Sequence, residues 1–268
     1  MKLASIFALF LVMTNGVFAN YVGNPQSPDL PKIISNTRNM TFPEQDYWLN
    51  ARLEYEKEYM QNMNLEFSSG GIENRIQRAR FYGNFLTLTA NILKHIDLYV
   101  KGGAVDPRFQ FALPSGFGFS ANELTNQRTI PAWALGVKFL VFTVDRFSFA
   151  VESSYFQTDH RTFGLFTATA PVAPVATTVS WYNWQVSSAV SWNICPLVPY
   201  IGAKYSRTIV TFNQSTPSLA VPLFKMDNRR QFGCFVGCSL LASRYFDLNF
   251  EGRFIDEQAF SGTMAFRF

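Results

Sequence analysis

Between Arg229 and Phe268 the chain alternates strictly in twos once it is split at its turns, and no other feature limits its fold as much. In the last run Phe260, Gly262, Met264, Phe266 and Phe268 share one side, and Ser261, Thr263, Ala265 and Arg267 the other. In the run before it, Phe246, Leu248, Phe250, Gly252 and Phe254 alternate with Asp247, Asn249, Glu251 and Arg253. Side chains alternate across a strand, so each run is a strip with one apolar face and one wet face. A soluble sandwich would alternate too. The two solutions part at Phe268, an aromatic at the tip of an amphipathic strand, where a soluble terminus would fray. A transmembrane barrel uses such a strand, because its last strand closes the wall and turns its outer face to lipid. Phe266 and Phe268 are therefore expected in a terminal strand that serves closure and the barrel-assembly machinery.

The start of the chain agrees with an exported protein. Lys2 precedes the apolar run Leu3–Met13, and Val17-Phe18-Ala19 supplies a small-residue exit. That pattern predicts a signal peptide over 1–19, because the apolar run is too short to cross a hydrocarbon layer of about 30 Å. Removing Lys2 from 23 basic residues leaves 22 against 19 acidic ones, a balance too mild to imply nucleic acid. Of the residues, 16% are aromatic, an excess that interfacial girdles and a lipid face would absorb. Three cysteines, Cys195, Cys234 and Cys238, are an odd number for an oxidising compartment. Cys234 and Cys238 share one strand face at a spacing too long for a disulfide. Cys195, in a predicted turn, is the candidate for an intermolecular disulfide. With only His95 and His160 as imidazoles, and neither near the cysteines, no metal site is expected.

Residues 20–45 are polar and proline-rich and predict an N-terminal periplasmic arm. The barrel is expected over 46–268. Strand-like alternation falls near 47–56, 80–93, 96–104, 132–144, 147–157, 179–193, 198–212, 229–242, 245–255 and 259–268. Segments 59–67 and 109–119 could add two more, so the fold class is an all-β, transmembrane antiparallel β-barrel of about 10–12 strands. The links at 94–95, 145–146, 194–197 and 243–244 are tight, whereas those at 57–79, 105–131, 158–178 and 213–228 are long. Short periplasmic turns and long outer loops produce that asymmetry.

Two blocks then resemble the chlamydial major outer membrane porin family. Asn183 to Arg207, NWQVSSAVSWNICPLVPYIGAKYSR, resembles a family block of the type WQASLALSYRL followed by PYIGVKWSR. The terminus RFIDEQAFSGTMAFRF resembles the family ending RLIDERAAHVNAQFRF. Weaker matches are Tyr21–Pro25, Ile96–Ala104 and the hairpin over 133–157. The resemblance implies a short, divergent porin that passes ions and small solutes, acts as a structural component of the envelope, and associates as trimers. Family members are cysteine-rich and disulfide-linked; three cysteines here depart from that.

Chemistry is bounded by the same residues. Asp159-His160 stands where an outer-membrane protease would hold an Asp–His pair, but no second acidic pair matches it, and a solvated loop edge accounts for it. Nothing singles out a serine for lipid hydrolysis. Gly102-Gly103 reads as a loop or bulge, not a phosphate cradle, since no helix follows. No catalysis and no cofactor are expected. The wet strand faces remain. A charge facing lipid at mid-depth costs a few kcal/mol, so Lys138, Glu152, Lys204, Asp247, Glu251, Arg253 and Arg267 are expected to point inward as lumen-lining candidates. If water separates these charges the lumen is a diffusion pore; if they pair off and fill it, the barrel is plugged and structural.

Overall fold

The computed structural model describes residues 49–69, 77–93, 95–111, 122–125, 129–160, 164–167, 177–194, 196–214, 224–243 and 246–267. The proposed leader, the arm and Phe268 lie outside them. Among the described residues thirteen strands run in order: β1 Leu49–Ser69, β2 Gln77–Ile92, β3 Ile96–Phe111, β4 Asn122–Thr125, β5 Ile130–Val144, β6 Phe147–His160, β7 Gly164–Thr167, β8 Thr177–Trp192, β9 Leu197–Gln214, β10 Phe224–Asn228, β11 Phe232–Ser243, β12 Phe246–Phe254 and β13 Glu257–Arg267.

Ten of them close on themselves. Antiparallel ladders join β1–β2–β3–β5–β6–β8–β9–β11–β12–β13, and β13 pairs back on β1 from Arg52↔Arg267 to Met63↔Glu257. Closure leaves no free edge, which is what lets strands cross a bilayer. The ten wall strands match the ten alternating runs of the sequence. Segment 59–67 is not an eleventh strand; it is the upper part of β1, which continues to Ser69. The long link expected over 57–79 is largely strand for the same reason. Residues 109–111 likewise extend β3, and Gly102-Gly103 sits within β3 and not in a loop.

The strands are unequal, and the inequality builds a second tier. β1 has 21 residues and β9 has 18, but β12 has only 9 and β13 has 11. A crossing strand needs about 9–11 residues, so the long strands stand well clear of the bilayer. Above the short β12–β13 hairpin, β10 fills the gap, pairing with β1 at Leu65↔Asn228 to Ser69↔Lys225 and with β9 at Asp227↔Ile209 to Phe224↔Phe212. Farther out, β4 pairs with β3 and β7 with β4. None of β4, β7 and β10 was legible in the sequence; all three are short and lie in stretches read as loops.

Face polarity inverts between tiers. In the lower tier apolar residues face out: Ile201 is 65% exposed, Val100 64% and Leu88 61%. Their alternates Thr87, Thr89, Lys101 and Lys204 are buried. In the upper tier Ala79, Phe81, Phe109, Met63 and Leu65 point in and are buried, while Tyr82, Asn84 and Arg108 are exposed. An outer apolar face belongs in lipid, and an inner apolar face belongs to a small barrel standing in water. On β1 the change of phase is produced by a bulge between Met60 and Asn62, where Gln61 is the extra residue. Aromatics mark the boundary on the outer wall: Tyr59–Tyr82 at 4.6 Å, Trp133–Tyr155 at 5.6 Å, Trp184–Tyr205 at 5.4 Å and Tyr205–Phe232 at 5.0 Å. A second set, including Phe142–Phe149 and Phe147–Trp192, lies towards the tight-turn end. Two such girdles bracket a lipid-facing belt.

The tiers are joined at the bend between β10 and β11. Asn228 is buried there, its amide nitrogen donating to Ser206 O at 2.9 Å and Arg230 O at 2.8 Å, and its oxygen accepting from Thr208 N at 3.0 Å. Arg229 N donates to Asn64 O at 3.0 Å, which ties the bend to β1. Replacing Asn228 by Ala leaves a buried backbone donor and acceptor without that partner. Asn228→Ala should lower the stability of the refolded protein by about 1–3 kcal/mol, read from urea unfolding in detergent micelles. An unchanged unfolding midpoint would show that the junction does not depend on this side chain.

Candidate functional site

All seven charged residues singled out in the sequence point to the inside of the wall, and each has an oppositely charged neighbour. Lys138 on β5 meets Glu152 on β6 at 3.3 Å, and Glu152 also accepts from Tyr99 Oη at 2.6 Å. Arg267 Nε donates to Asp247 across the β12–β13 ladder at 2.9 Å. Lys204 on β9 meets Asp256 at 2.9 Å and is also bonded to Glu257. Arg253 on β12 stands among three carboxylates, Glu257 at 3.4 Å, Glu251 at 3.5 Å and Glu58 at 3.7 Å.

The last two clusters are one network. Glu58 on β1 accepts from Lys101 of β3 at 3.1 Å, and Lys101 also donates to Glu56 at 2.8 Å. Glu251 accepts from Tyr200 Oη at 3.1 Å, and Ser206 Oγ donates to Asp256 at 3.0 Å. The chain Lys101–Glu58–Arg253–Glu257–Lys204–Asp256 thus crosses the interior from β3 to β9. Nearer the tight turns, Arg52 binds Asp97 at 3.2 Å, and Asn91 Nδ2 donates to Asp97 at 2.7 Å. Arg52 is also bonded to Glu54.

The sequence reading omitted Glu54, Glu56, Glu58, Lys101, Asp256 and Glu257 from its candidates. A signal was present: Glu54, Glu56 and Glu58 repeat every two residues and must share a face. Among the described residues the inner wall carries nine carboxylates (Glu54, Glu56, Glu58, Asp97, Glu152, Asp247, Glu251, Asp256, Glu257) against six cations (Arg52, Lys101, Lys138, Lys204, Arg253, Arg267), a surplus of three acids. The positive balance of the whole chain is therefore not that of its interior.

Above this network the interior is apolar. Phe81 packs on Trp181 at 5.4 Å and on Phe156 at 6.2 Å, and Phe109 on Trp181 at 5.5 Å, among Met60, Met63, Leu65 and Met226. Lys101 Nζ lies 4.2 Å from the centroid of Phe85, where the two layers meet. Large inner rings need small neighbours. A Cβ at Gly237 or Gly136 would collide with the rings of Tyr200 and Tyr99, and one at Gly233 would collide with the Asp256 carboxylate.

Asp159 is exposed at the end of β6 and accepts from Gln157 at 2.7 Å; the side chain of His160 lies outside the described residues. Cys234 and Cys238 are on the outward face of β11, half-buried and unbridged, and Cys195 lies outside the described residues. Among the described residues no group of His, Cys, Asp and Glu could hold a metal ion.

No family model matches the sequence. A major outer membrane porin of Chlamydia psittaci is 22% identical over 281 residues, covering 72% of this chain and 71% of the relative. Among solved structures, an outer-membrane channel of Pseudomonas putida aligns with TM-score 0.41 and 8% identity over 85% of this chain and 100% of its own. The outer-membrane protease OmpT of Escherichia coli aligns with TM-score 0.40 and 7% identity over 86% and 96%. The closed wall, the lipid-facing belt and the similarity to an outer-membrane porin together describe a multi-pass β-barrel of the bacterial outer membrane.

Arg253 is the residue on which the network turns. Removing it takes the guanidinium from three buried carboxylates, of which Glu58 keeps Lys101 and Glu257 keeps Lys204. Breaking a buried ion pair from one side costs about 3–5 kcal/mol, so Arg253→Met should destabilise the barrel by that order in urea unfolding. Arg253→Lys, which keeps the charge but loses the fork, should fall between the two. A loss under about 1 kcal/mol for Arg253→Met would show that the carboxylates do not depend on it.

Proposed function

We propose that this protein stands closed in the outer membrane as a structural component of the cell envelope, and that it carries out no catalysis. One observation carries the reading: Arg253, Glu58 and Glu251 are each 0% exposed, so no water-sized space surrounds the centre of the lumen. A diffusion pore needs a continuous wet path with charges held apart on its wall. Here the charges meet, and the upper tier above them is filled by aromatic and methionine side chains. Small barrels of about eight strands leave an interior just wide enough for side chains, and the upper tier is of that size once β10 takes the place of β11, β12 and β13 between β9 and β1.

A passive porin for ions and small solutes is the second reading, favoured by the similarity to a chlamydial major outer membrane porin. In that reading Lys138, Glu152, Lys204, Asp247, Glu251, Arg253 and Arg267 line the passage, further copies assemble as a trimer, and the network must loosen for solutes to pass. The surplus of acids on the inner wall then favours cations. Purified, refolded protein in a planar bilayer separates the two. The structural reading expects no stepwise current in a potassium chloride gradient at moderate voltage. Stepwise channels with a cation-selective reversal potential would replace it with the porin.

A further inference from the structure

The outer wall carries a charged patch that the lumen does not use. Directly above the aromatic row Trp184, Tyr205 and Phe232, the outward side chains turn basic. Arg207 lies opposite Trp184 in the β8–β9 ladder, and Phe232 lies opposite Tyr205 in the next. Arg207, Arg229 and Arg230 are all exposed. Two carboxylates stand between them: Asp227, 3.8 Å from Arg207, and Glu66, 3.0 Å from Arg229. Three arginines against two carboxylates leave a local surplus of one positive charge, in a barrel whose interior is acid-rich. The arginine side chains remain nearly half exposed, 44% for Arg207 and 48% for Arg229, so neither ion pair uses up its donors. Arg230 Nη1 donates to the carbonyl of Ile255 at 3.5 Å.

Apolar surface continues immediately below. Phe232 is 71% exposed, the most exposed large hydrophobic side chain among the described residues, with Ile255 and Phe254 beside it at the tip of the short hairpin. The step from forked cations to bare aromatic and aliphatic surface falls at the boundary that the girdle marks. Water alone would not keep Phe232 exposed, and a neutral lipid would not call for three arginines. Guanidinium groups bind phosphate oxygens in pairs, and a chain-bearing phosphate would meet both halves of this surface at once.

We propose that this face binds the headgroup of a phosphorylated glycolipid of the outer leaflet, with phosphate held by Arg207, Arg229 and Arg230 and acyl chains laid over Phe232 and Ile255. The surface is an interaction site on the barrel's outside and is independent of whether the lumen conducts; it rests on the outer-membrane placement of the long-loop end. Because the phosphate contacts are charge-assisted, binding should weaken as salt is raised.

The test uses the full mature chain, refolded and reconstituted into nanodiscs of phosphatidylcholine doped with diphosphoryl lipid A, with retained lipid measured by native mass spectrometry. Retention of the diphosphoryl lipid should exceed that of its dephosphorylated form by at least tenfold on the unmodified protein. The triple variant Arg207→Gln, Arg229→Gln, Arg230→Gln should lose that preference, and Arg80→Gln with Arg108→Gln, paired on β2 and β3 outside this patch, should keep it. Equal retention of the two lipids by the unmodified protein overturns the proposal without any variant having to fold. So does a preference that survives the triple substitution, or one abolished by inorganic phosphate at equimolar concentration, which would mark a free-phosphate site. Failure of the chain to insert into nanodiscs at all would instead overturn the outer-membrane placement.

Discussion

The ladder between β13 and β1 is the contact on which the rest of the molecule depends. A strand in hydrocarbon cannot leave its N–H and C=O groups unpaired, since each would cost several kcal/mol with no water to meet it. Ten strands therefore have to form a ring or not enter the membrane. Once β13 meets β1, every inward side chain shares one enclosed volume, and Glu58 of the first strand comes within reach of Arg253 of the twelfth. The ionic network is a consequence of closure: residues about 200 positions apart become neighbours because the ends of the chain join.

Along the barrel axis the same wall solves two opposite solvation problems. In lipid the outside must be apolar, so polar groups are sent inward, where they can survive only by pairing. Above the girdle the outside is wet, so the apolar groups turn inward and make an ordinary core. On β2, β3 and β8 the inward series keeps its phase and simply passes from polar to apolar residues, while on β1 the bulge at Gln61 shifts the phase just above Met60 and β10 fills the wall between β9 and β1. Asn228 closes the seam, satisfying backbone groups on β9 and at the bend that neither ladder reaches. The interior is filled differently in the two layers, with paired charges below and packed aromatic and methionine side chains above.

This division also separates the surfaces by role. The inner wall is acid-rich and its charges stand against opposite charges, while the basic residues on the outer wall gather just above the apolar belt, where Arg207, Arg229 and Arg230 keep part of their surface in solvent. A barrel that held its whole positive surplus in the lumen would present a different outer face to lipid headgroups.

Much of the wall was legible from residue order alone. Phe246–Arg253 and Phe260–Arg267 alternate so strictly that strand, face and inward charge follow from a two-residue period, which is a property of the extended backbone and needs no partner. Inward placement of Lys138, Lys204, Glu251 and Arg253 followed from the same period and the cost of charge in lipid. What the sequence could not carry was anything that depends on register between distant strands. Met63 and Leu65 leave the phase of Glu58 and Met60 through a bulge, which exists only relative to β13. β10 holds its place because the hairpin beside it is short, and a five-residue strand carries too little period to be seen alone. Whether charged side chains line a channel or close it depends on how far apart closure sets them. Alternation along the chain decided which way Arg253 points; only the closed tertiary structure decided that three carboxylates wait for it there.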